Sequence, residues 1–161
     1  MLKVIVNSTP LIVLSNINHL DLLKKLYTDI YIPQAVFDEI TAKNDSACHQ
    51  IKNNLDWIHI CKINNETQKR MYQAKLHDGE VEVMILAQET QDKILLIIDD
   101  NAAKKTAKFL GLKVTGTLGV ILKAKKENMI PDVTTLLDQL IKNGFYITPY
   151  VYSLVQNEAG E

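Results

Sequence analysis

Five short apolar runs alternate with helical patterns along the chain, and this alternation constrains the fold more than any other feature of the sequence. The runs cover residues 4–6, 30–32, 57–60, 94–98 and a short piece around 113–114, and they are enriched in β-branched side chains. Continuous apolar runs, unlike alternating ones, are typical of strands buried on both faces. Strands separated by helices favour βαβ units, so the sequence predicts a parallel sheet of about five strands with helices on both faces.

Helical patterns separate and follow these runs. They cover residues 10–15, 20–26, 33–41, 79–89 and 102–110, with a later helix at 133–142 and a terminal one opened by Pro149. Pro10 and Pro33 stand at first helical positions, where proline is favoured. Gly111 and Gly144 stand where a helix end needs a left-handed residue. Residues 43–54 are the least periodic stretch and are expected to form a loop or a weak helix.

The length of 161 residues predicts a single domain, residues 1–161, folded as a three-layer α/β/α sandwich. The net charge of -1 says nothing about partners, and two cysteines exclude a disulfide framework. No apolar run approaches the roughly 20 residues that span a bilayer. Asn7, Ser8 and Pro10 interrupt the first apolar stretch and disfavour a signal peptide, so a cytoplasmic protein without membrane contact is expected.

Polar side chains follow two of the predicted strands directly. Asn7 and Ser8 leave the first strand, and Asp99 and Asp100 leave the strand at 94–98. Ligands of open parallel sheets bind outside the carboxyl ends of the strands. The sequence therefore predicts a polar site at this edge of the sheet.

Two further acids fall on apolar helical stripes. Glu39 shares a helical face with Val36, and Glu80 heads a stripe that contains Met84. Glu82 falls on another face, so Glu80 is the acid expected to be semi-buried. Burying a carboxylate costs free energy unless it has a partner, which suggests a specific role for Glu39 and Glu80.

The four acids are expected to converge with Asn7 on one crevice, where an all-oxygen site suits Mg²⁺ or Mn²⁺. Each residue also has a purely structural alternative. Glu80 would complement a helix dipole, and Asp99 or Asp100 would cap the following helix. Glu39 would reach towards a lysine, and Asn7 would satisfy turn backbone.

Five segments, in this order and spacing, resemble the PIN-domain proteins, and among them a subgroup of toxins related to the VapC family. They are Asn7-Ser8-Thr9-Pro10-Leu11-Ile12, Tyr31-Ile32-Pro33 with Val36 and Glu39, Asp78-Gly79-Glu80, Ile97-Ile98-Asp99-Asp100, and Thr115-Gly116-Thr117-Leu118-Gly119. The resemblance spans nearly the whole chain. It implies an α/β/α sandwich whose acidic pocket holds Mg²⁺ or Mn²⁺ and hydrolyses RNA.

Carried over to this chain, the family's first acid falls on Asn7, the second on Glu39, the third on Glu80, and the fourth on Asp99 or Asp100. The resemblance implies that Asn7, Glu80, Asp99 and Asp100 bind the metal, and that Glu39 binds it or positions the attacking water. The four carboxylates are the implied catalytic residues. Asn7 departs from the pattern, because active nucleases of the family have Asp there; an amide oxygen can still bind a metal, without the negative charge.

Basic side chains gather after the acid pair. Residues 101–126 contain seven lysines and no acid. Lys104 and Lys105 are candidates for binding the phosphate backbone, with a solvated helix face as the alternative. Ser8 and Thr117 are candidates for hydrogen bonds to phosphate, or else turn and cap residues.

The expected partners are RNA, a small antitoxin protein and a second copy of the chain. A PIN-like module that binds RNA or a partner without cleaving, because Asn7 weakens the metal site, is the main alternative. A phosphoacceptor receiver domain, suggested by residues 94–101, is excluded because only 61 residues follow Asp100. A zinc site is disfavoured, because the Cys and His residues between Cys48 and Cys61 lack a familiar spacing.

Overall fold

Five strands lie at or next to the predicted apolar runs. The computed structural model describes residues 2–65, 69, 76, 78–90 and 92–161. The strands are β1 (Leu2–Val6), β2 (Ile30–Pro33), β3 (Ile58–Cys61), β4 (Lys93–Ile97) and β5 (Lys113–Thr115). They form one sheet in the order β3-β2-β1-β4-β5 with every pairing parallel, which confirms the predicted architecture.

Helices pack around this sheet as in a three-layer α/β/α sandwich. The described residues contain α1 (Ser8–Asn16), α2 (Asp21–Tyr27), α3 (Gln34–Thr41), α4 (Ser46–Lys52), α5 (Asp78–Glu89), α6 (Asn101–Phe109), α7 (Thr117–Lys126), α8 (Thr134–Lys142) and α9 (Pro149–Glu158). None of them is long and apolar enough to cross a bilayer. Gly111 and Gly144 have φ of +77° and +92°, as expected for residues that end a helix.

Two helices correct or extend the sequence prediction. Within the doubtful stretch 43–54, α4 forms because the Asp45 carboxylate caps it, accepting a hydrogen bond from the Cys48 backbone N–H at 3.0 Å. Helix α7 lies where the sequence analysis predicts none. Its buried side chains, Val120, Ile121 and Ala124 among them, recur at helical spacing between the lysines.

The carboxyl ends of β1 and β4 lie side by side. Val6 pairs with Ile97 in the parallel register, and the Asn7 N–H donates to the Ile97 carbonyl at 3.0 Å. The chain adds β2 and β3 on one side of β1, and β4 and β5 on the other. The gap between β1 and β4 is therefore the point where the connection direction reverses, which is the ordinary ligand crevice of such sheets.

Helix α5 is buried over most of its length. All residues from Gly79 to Ala87 are buried, including Glu80 and Glu82, because α5 packs against α3 and strands β1, β2 and β4. Since α5 leads directly into β4 and runs antiparallel to it, the first turn of α5 lies at the carboxyl edge of the sheet. The fold thus brings the acids of α5 to the edge that carries Asn7.

Candidate functional site

The side chains of Asn7 and Glu39 both approach Gly79, in the first turn of α5. A Cβ atom placed on Gly79 would lie 3.5 Å from the Asn7 Oδ1 and 3.8 Å from the Glu39 Oε2. It would also lie 3.3 Å from the Val36 Cγ2, so the space beside Gly79 is narrow. The glycine keeps open a small gap that two oxygen atoms from different elements face.

The amide oxygen of Asn7 is buried and unsatisfied. The residue is 3% exposed, and its Oδ1 has no hydrogen-bond partner among the described residues. Asn7 occupies the N-cap position of α1, yet its side chain makes no capping hydrogen bond. The alternative that this side chain holds the turn by capping is therefore wrong. A buried acceptor without a partner costs free energy and calls for a ligand or an ordered water.

Glu39 differs from its predicted environment. It was expected to point into the apolar interior, but the residue is exposed, because α3 buries the face carrying Val36 and Ile40. Its carboxylate instead borders a cavity of about 780 Å³ between α3 and α5. A solvent-facing carboxylate beside a buried amide oxygen can bind a cation without carrying the full desolvation cost itself.

This cavity is strongly acidic, and one lysine side chain also lines it. Four carboxylate residues line it, namely Asp38, Glu39, Asp78 and Glu82, together with Lys69. The Lys69 Nζ lies 2.7 Å from the Glu82 Oε2, and the Ala35 N–H donates to the Glu82 Oε1 at 3.1 Å. Both charged side chains are largely shielded from solvent, at 17% and 8% exposure.

Glu82 is the acid that the sequence analysis missed. The apolar pattern predicts that only Glu80 is semi-buried, but α5 is buried on both faces, so Glu82 is as buried as Glu80. One signal could have pointed to it. Asp78 and Glu82 are four residues apart on one helix, which places both on the same face.

Asp99 is held rigidly at the end of β4. Its Oδ1 accepts a hydrogen bond from the Thr117 N–H at 2.8 Å, and its Oδ2 accepts one from the Thr117 hydroxyl at 2.6 Å. A Cβ atom on Gly116 would lie 2.7 Å from the Asp99 Oδ1 and 3.0 Å from the Lys104 Nζ, so this close approach requires glycine. Thr117 is therefore a carboxylate-positioning residue, and its hydroxyl is already donated.

Asp100 caps a helix, which is the structural alternative that the sequence analysis gives for it. Its carboxylate accepts a hydrogen bond from the Ala103 N–H at 2.8 Å and caps α6. Of the two adjacent acids, Asp99 is the one that borders a cavity, of about 490 Å³. The other candidates for phosphate binding lie in different environments. Ser8 is buried at the start of α1. Lys104 borders the cavity next to Asp99, and Lys105 is exposed.

The described residues contain no group of three Asp, Glu, His or Cys side chains that could hold a metal ion. The expected convergence of Glu39, Glu80, Asp99 and Asp100 in one cluster is therefore not found there. The physical reason is that Asp99 and Asp100 point to the N-termini of α7 and α6, whereas Glu39 faces α5.

Asn7 and Glu39 nevertheless provide donors that a hard cation prefers. Mg²⁺ is commonly bound through one or two carboxylates with waters and substrate phosphates completing its shell, so a cage of three carboxylates is not required. The unsatisfied Asn7 Oδ1 and the gap at Gly79 are consistent with such a site. The donor chemistry therefore fits Mg²⁺ or Mn²⁺.

One comparison with known proteins identifies the fold. A family model described as DUF3368, a PIN domain, matches residues 3–161. None of the curated proteins compared with the chain matches it. The family match covers both the Asn7 and the Asp99 ends of the crevice.

Proposed function

Because the chain belongs to the DUF3368 family of PIN domains, which have a nuclease-like fold, we propose that it is a ribonuclease dependent on Mg²⁺ or Mn²⁺. The observation that carries the proposal is the buried, unpartnered Asn7 Oδ1, which faces the same gap at Gly79 as the Glu39 carboxylate. Asn7 lies at the topological switch point of the sheet, between the ends of β1 and β4, and the Glu39 side chain is exposed to solvent.

The role proposed for each residue follows from its position in the site. Asn7 and Glu39 would hold the ion, and Glu80, buried in the first turn of α5, is a further candidate ligand. A bound divalent cation would polarise the scissile phosphate and lower the pKa of a water ligand. Glu39, which is open to solvent, orients the attacking water. Asp100 is left out of this site because its carboxylate caps α6.

Asp99 and Lys104 would act on the substrate from the other side of the crevice. Thr117 holds the Asp99 carboxylate in one orientation, so it presents a fixed negative charge. The Lys104 ammonium, near the same glycine, would attract the phosphate backbone, and Lys105 and Lys108 on α6 extend that basic face. Attraction to phosphate beside an acidic pocket favours a nucleic acid over a small neutral substrate.

The resemblance to VapC-type toxins extends the proposal to the cellular role. We propose that the enzyme is the cytoplasmic toxin of a toxin-antitoxin pair, held inactive by a small antitoxin protein and forming a homodimer. Purification from cells that carry the neighbouring gene would test this, since a stable complex with its product is expected.

A second candidate function is a PIN domain that binds RNA or a protein without cleaving. Two observations favour it: Asn7 contributes no charge, and Lys69 already neutralises Glu82 in the acidic cavity. Both lower the electrostatic attraction for a divalent cation.

A cleavage assay separates the two candidates. Single-stranded RNA incubated with the protein and Mn²⁺ should be cut, and EDTA should stop the reaction. Glu39→Gln should lower the rate by about a hundredfold or more, because it removes the group that orients the water. Glu158→Gln is a matched control. Glu158 is exposed and ends α9, where it lies near the C-terminus of α7, whereas Asp99 contacts the N-terminus of α7. Binding of RNA without cleavage by the wild type would favour the second candidate.

A further inference from the structure

An exposed aromatic side chain shares a cavity with Asp99 and Lys104. The residues that line this cavity of about 490 Å³ include Asp99, Lys104 and Gly116 as well as Phe145 and Tyr146. Tyr146 is 84% exposed. An aromatic ring left this open to water has not been placed for packing within the chain.

The segment that carries Tyr146 is anchored on both sides. Before it, Gly144 ends α8 with a positive φ, and the Phe145 N–H donates to the Leu140 carbonyl at 2.9 Å. After it, the Thr148 hydroxyl accepts a hydrogen bond from the Val151 N–H at 3.1 Å and caps α9. The backbone on both sides of Tyr146 is therefore fixed, so its ring is presented from a defined position.

The cavity combines two chemical features that favour binding of a nucleotide. Lys104 provides a cation for phosphate, and Tyr146 provides an exposed aromatic ring for a base. Stacking on an aromatic side chain together with backbone contacts to lysine is the general way in which single strands are bound.

We propose that this cavity is a nucleotide subsite for unpaired RNA, in which a base stacks on Tyr146 while its phosphate faces Lys104. The inference rests on the proposed ribonuclease function and adds the residues of this chain that receive one unpaired nucleotide, Tyr146 and Lys104. A base inside an A-form helix is covered by its neighbours and cannot reach the ring. Stacking tolerates any base, so the subsite selects strandedness rather than sequence.

Binding in EDTA tests the subsite separately from cleavage. The dissociation constant of a fluorescently labelled oligouridylate is measured without divalent ions for the wild type, Tyr146→Ala, Tyr146→Phe and Tyr150→Ala. Tyr146→Ala should weaken binding about tenfold, because the stacked base loses its platform. Tyr146→Phe keeps the ring and should bind as the wild type does. Tyr150→Ala removes an equally exposed ring on α9 that does not line the cavity and should change nothing.

Two further substrates identify the interaction as stacking. An oligonucleotide with abasic positions should bind the wild type about as weakly as oligouridylate binds Tyr146→Ala, with no further loss in the variant. Duplex RNA should bind all four proteins equally. Because Tyr146 is exposed, its replacement should leave the melting temperature unchanged, which separates lost binding from lost folding.

The outcomes distinguish this inference from the function on which it rests. Equal binding of oligouridylate by the wild type and Tyr146→Ala overturns the subsite, even if the wild type cleaves RNA with Mn²⁺. An equal loss for single-stranded and duplex RNA also overturns it, as does a wild type that binds no RNA. Binding that depends on Tyr146, in a protein that does not cleave, supports the subsite and contradicts the ribonuclease.

Discussion

The Asp99 carboxylate accepts two hydrogen bonds from Thr117, one from the backbone N–H at 2.8 Å and one from the hydroxyl at 2.6 Å. Thr117 is fully buried and is the first residue of α7. Asp99 therefore links the end of β4 to the start of α7. This contact satisfies an orphan N–H of α7 and fixes the carboxylate that borders the proposed nucleotide subsite.

Thr117→Val should remove the hydroxyl bond while keeping the shape of the side chain. We expect the free energy of unfolding to fall by about 1 to 2 kcal/mol, since a charged acceptor loses a buried donor. RNA cleavage should fall as well, because Asp99 is no longer held in one orientation. Denaturant unfolding and a cleavage assay check this. Thr117→Ser should restore both properties, and Thr135→Val, at an exposed threonine of α8, should change neither.

Asn7→Asp should add the negative charge that the resemblance to PIN-domain nucleases implies at this position. The variant is expected to bind Mn²⁺ about tenfold to a hundredfold more tightly, because a charged ligand replaces a neutral one. Its melting temperature without metal should fall, since a further buried acid lies close to the Glu39 carboxylate. Calorimetric titration with Mn²⁺ and thermal unfolding in EDTA measure the two effects. Unchanged values in both would remove Asn7 from the site.

Lys69→Met should leave the Glu82 carboxylate buried with only the Ala35 N–H as its partner among the hydrogen bonds described above. Removing one partner of a buried ion pair typically costs about 3 kcal/mol or more, so a clear loss of stability is expected. Mn²⁺ affinity should rise at the same time, because a competing cation has left the acidic cavity. Adding Glu82→Gln should recover much of the stability, and no recovery would argue that Lys69 acts elsewhere.

The Glu161 carboxylate should stabilise the protein at neutral pH, and this contribution should be lost in acid. The Val133 N–H, the Thr134 hydroxyl and N–H, and the Lys125 ammonium hold the pKa of the Glu161 carboxyl below its ordinary value of 4.5. A lowered folded-state pKa stabilises the protein above the ordinary value, and the contribution is lost as the pH falls through the folded value. Melting temperatures of the wild type and Glu161→Gln should therefore differ at neutral pH and converge in acid. A difference that does not depend on pH would contradict the assignment to ionisation.

The three central strands could be predicted because β1, β2 and β4 are buried on both faces towards their carboxyl ends, which leaves continuous apolar runs such as 94–98. Helix α7 could not, because lysines at its end and Gly119 within it hide the buried stripe of Val120, Ile121 and Ala124. The apolar spacing is helical, but the burial that selects a helix here comes from packing in the folded chain rather than from local propensity.

The candidate site was predictable in its location but not in its detailed contacts. Strand ends identified Asn7 and Asp99, since parallel strands bring their carboxyl ends to one edge. Which of Asp99 and Asp100 caps a helix depends on where α6 and α7 begin, which neighbouring residues in the sequence do not show. Glu82 was missed because a helix buried on every side has no polar face from which to infer direction.

The central claim, that Asn7 and Glu39 hold a divalent cation, is tested most directly by a crystal soaked in Mn²⁺ and measured at a wavelength where manganese scatters anomalously. We predict an anomalous peak about 2.1 to 2.3 Å from the Asn7 Oδ1 and from a Glu39 carboxylate oxygen, beside Gly79. A map without a peak in this gap, or with its strongest peak elsewhere in the acidic cavity, would contradict the claim.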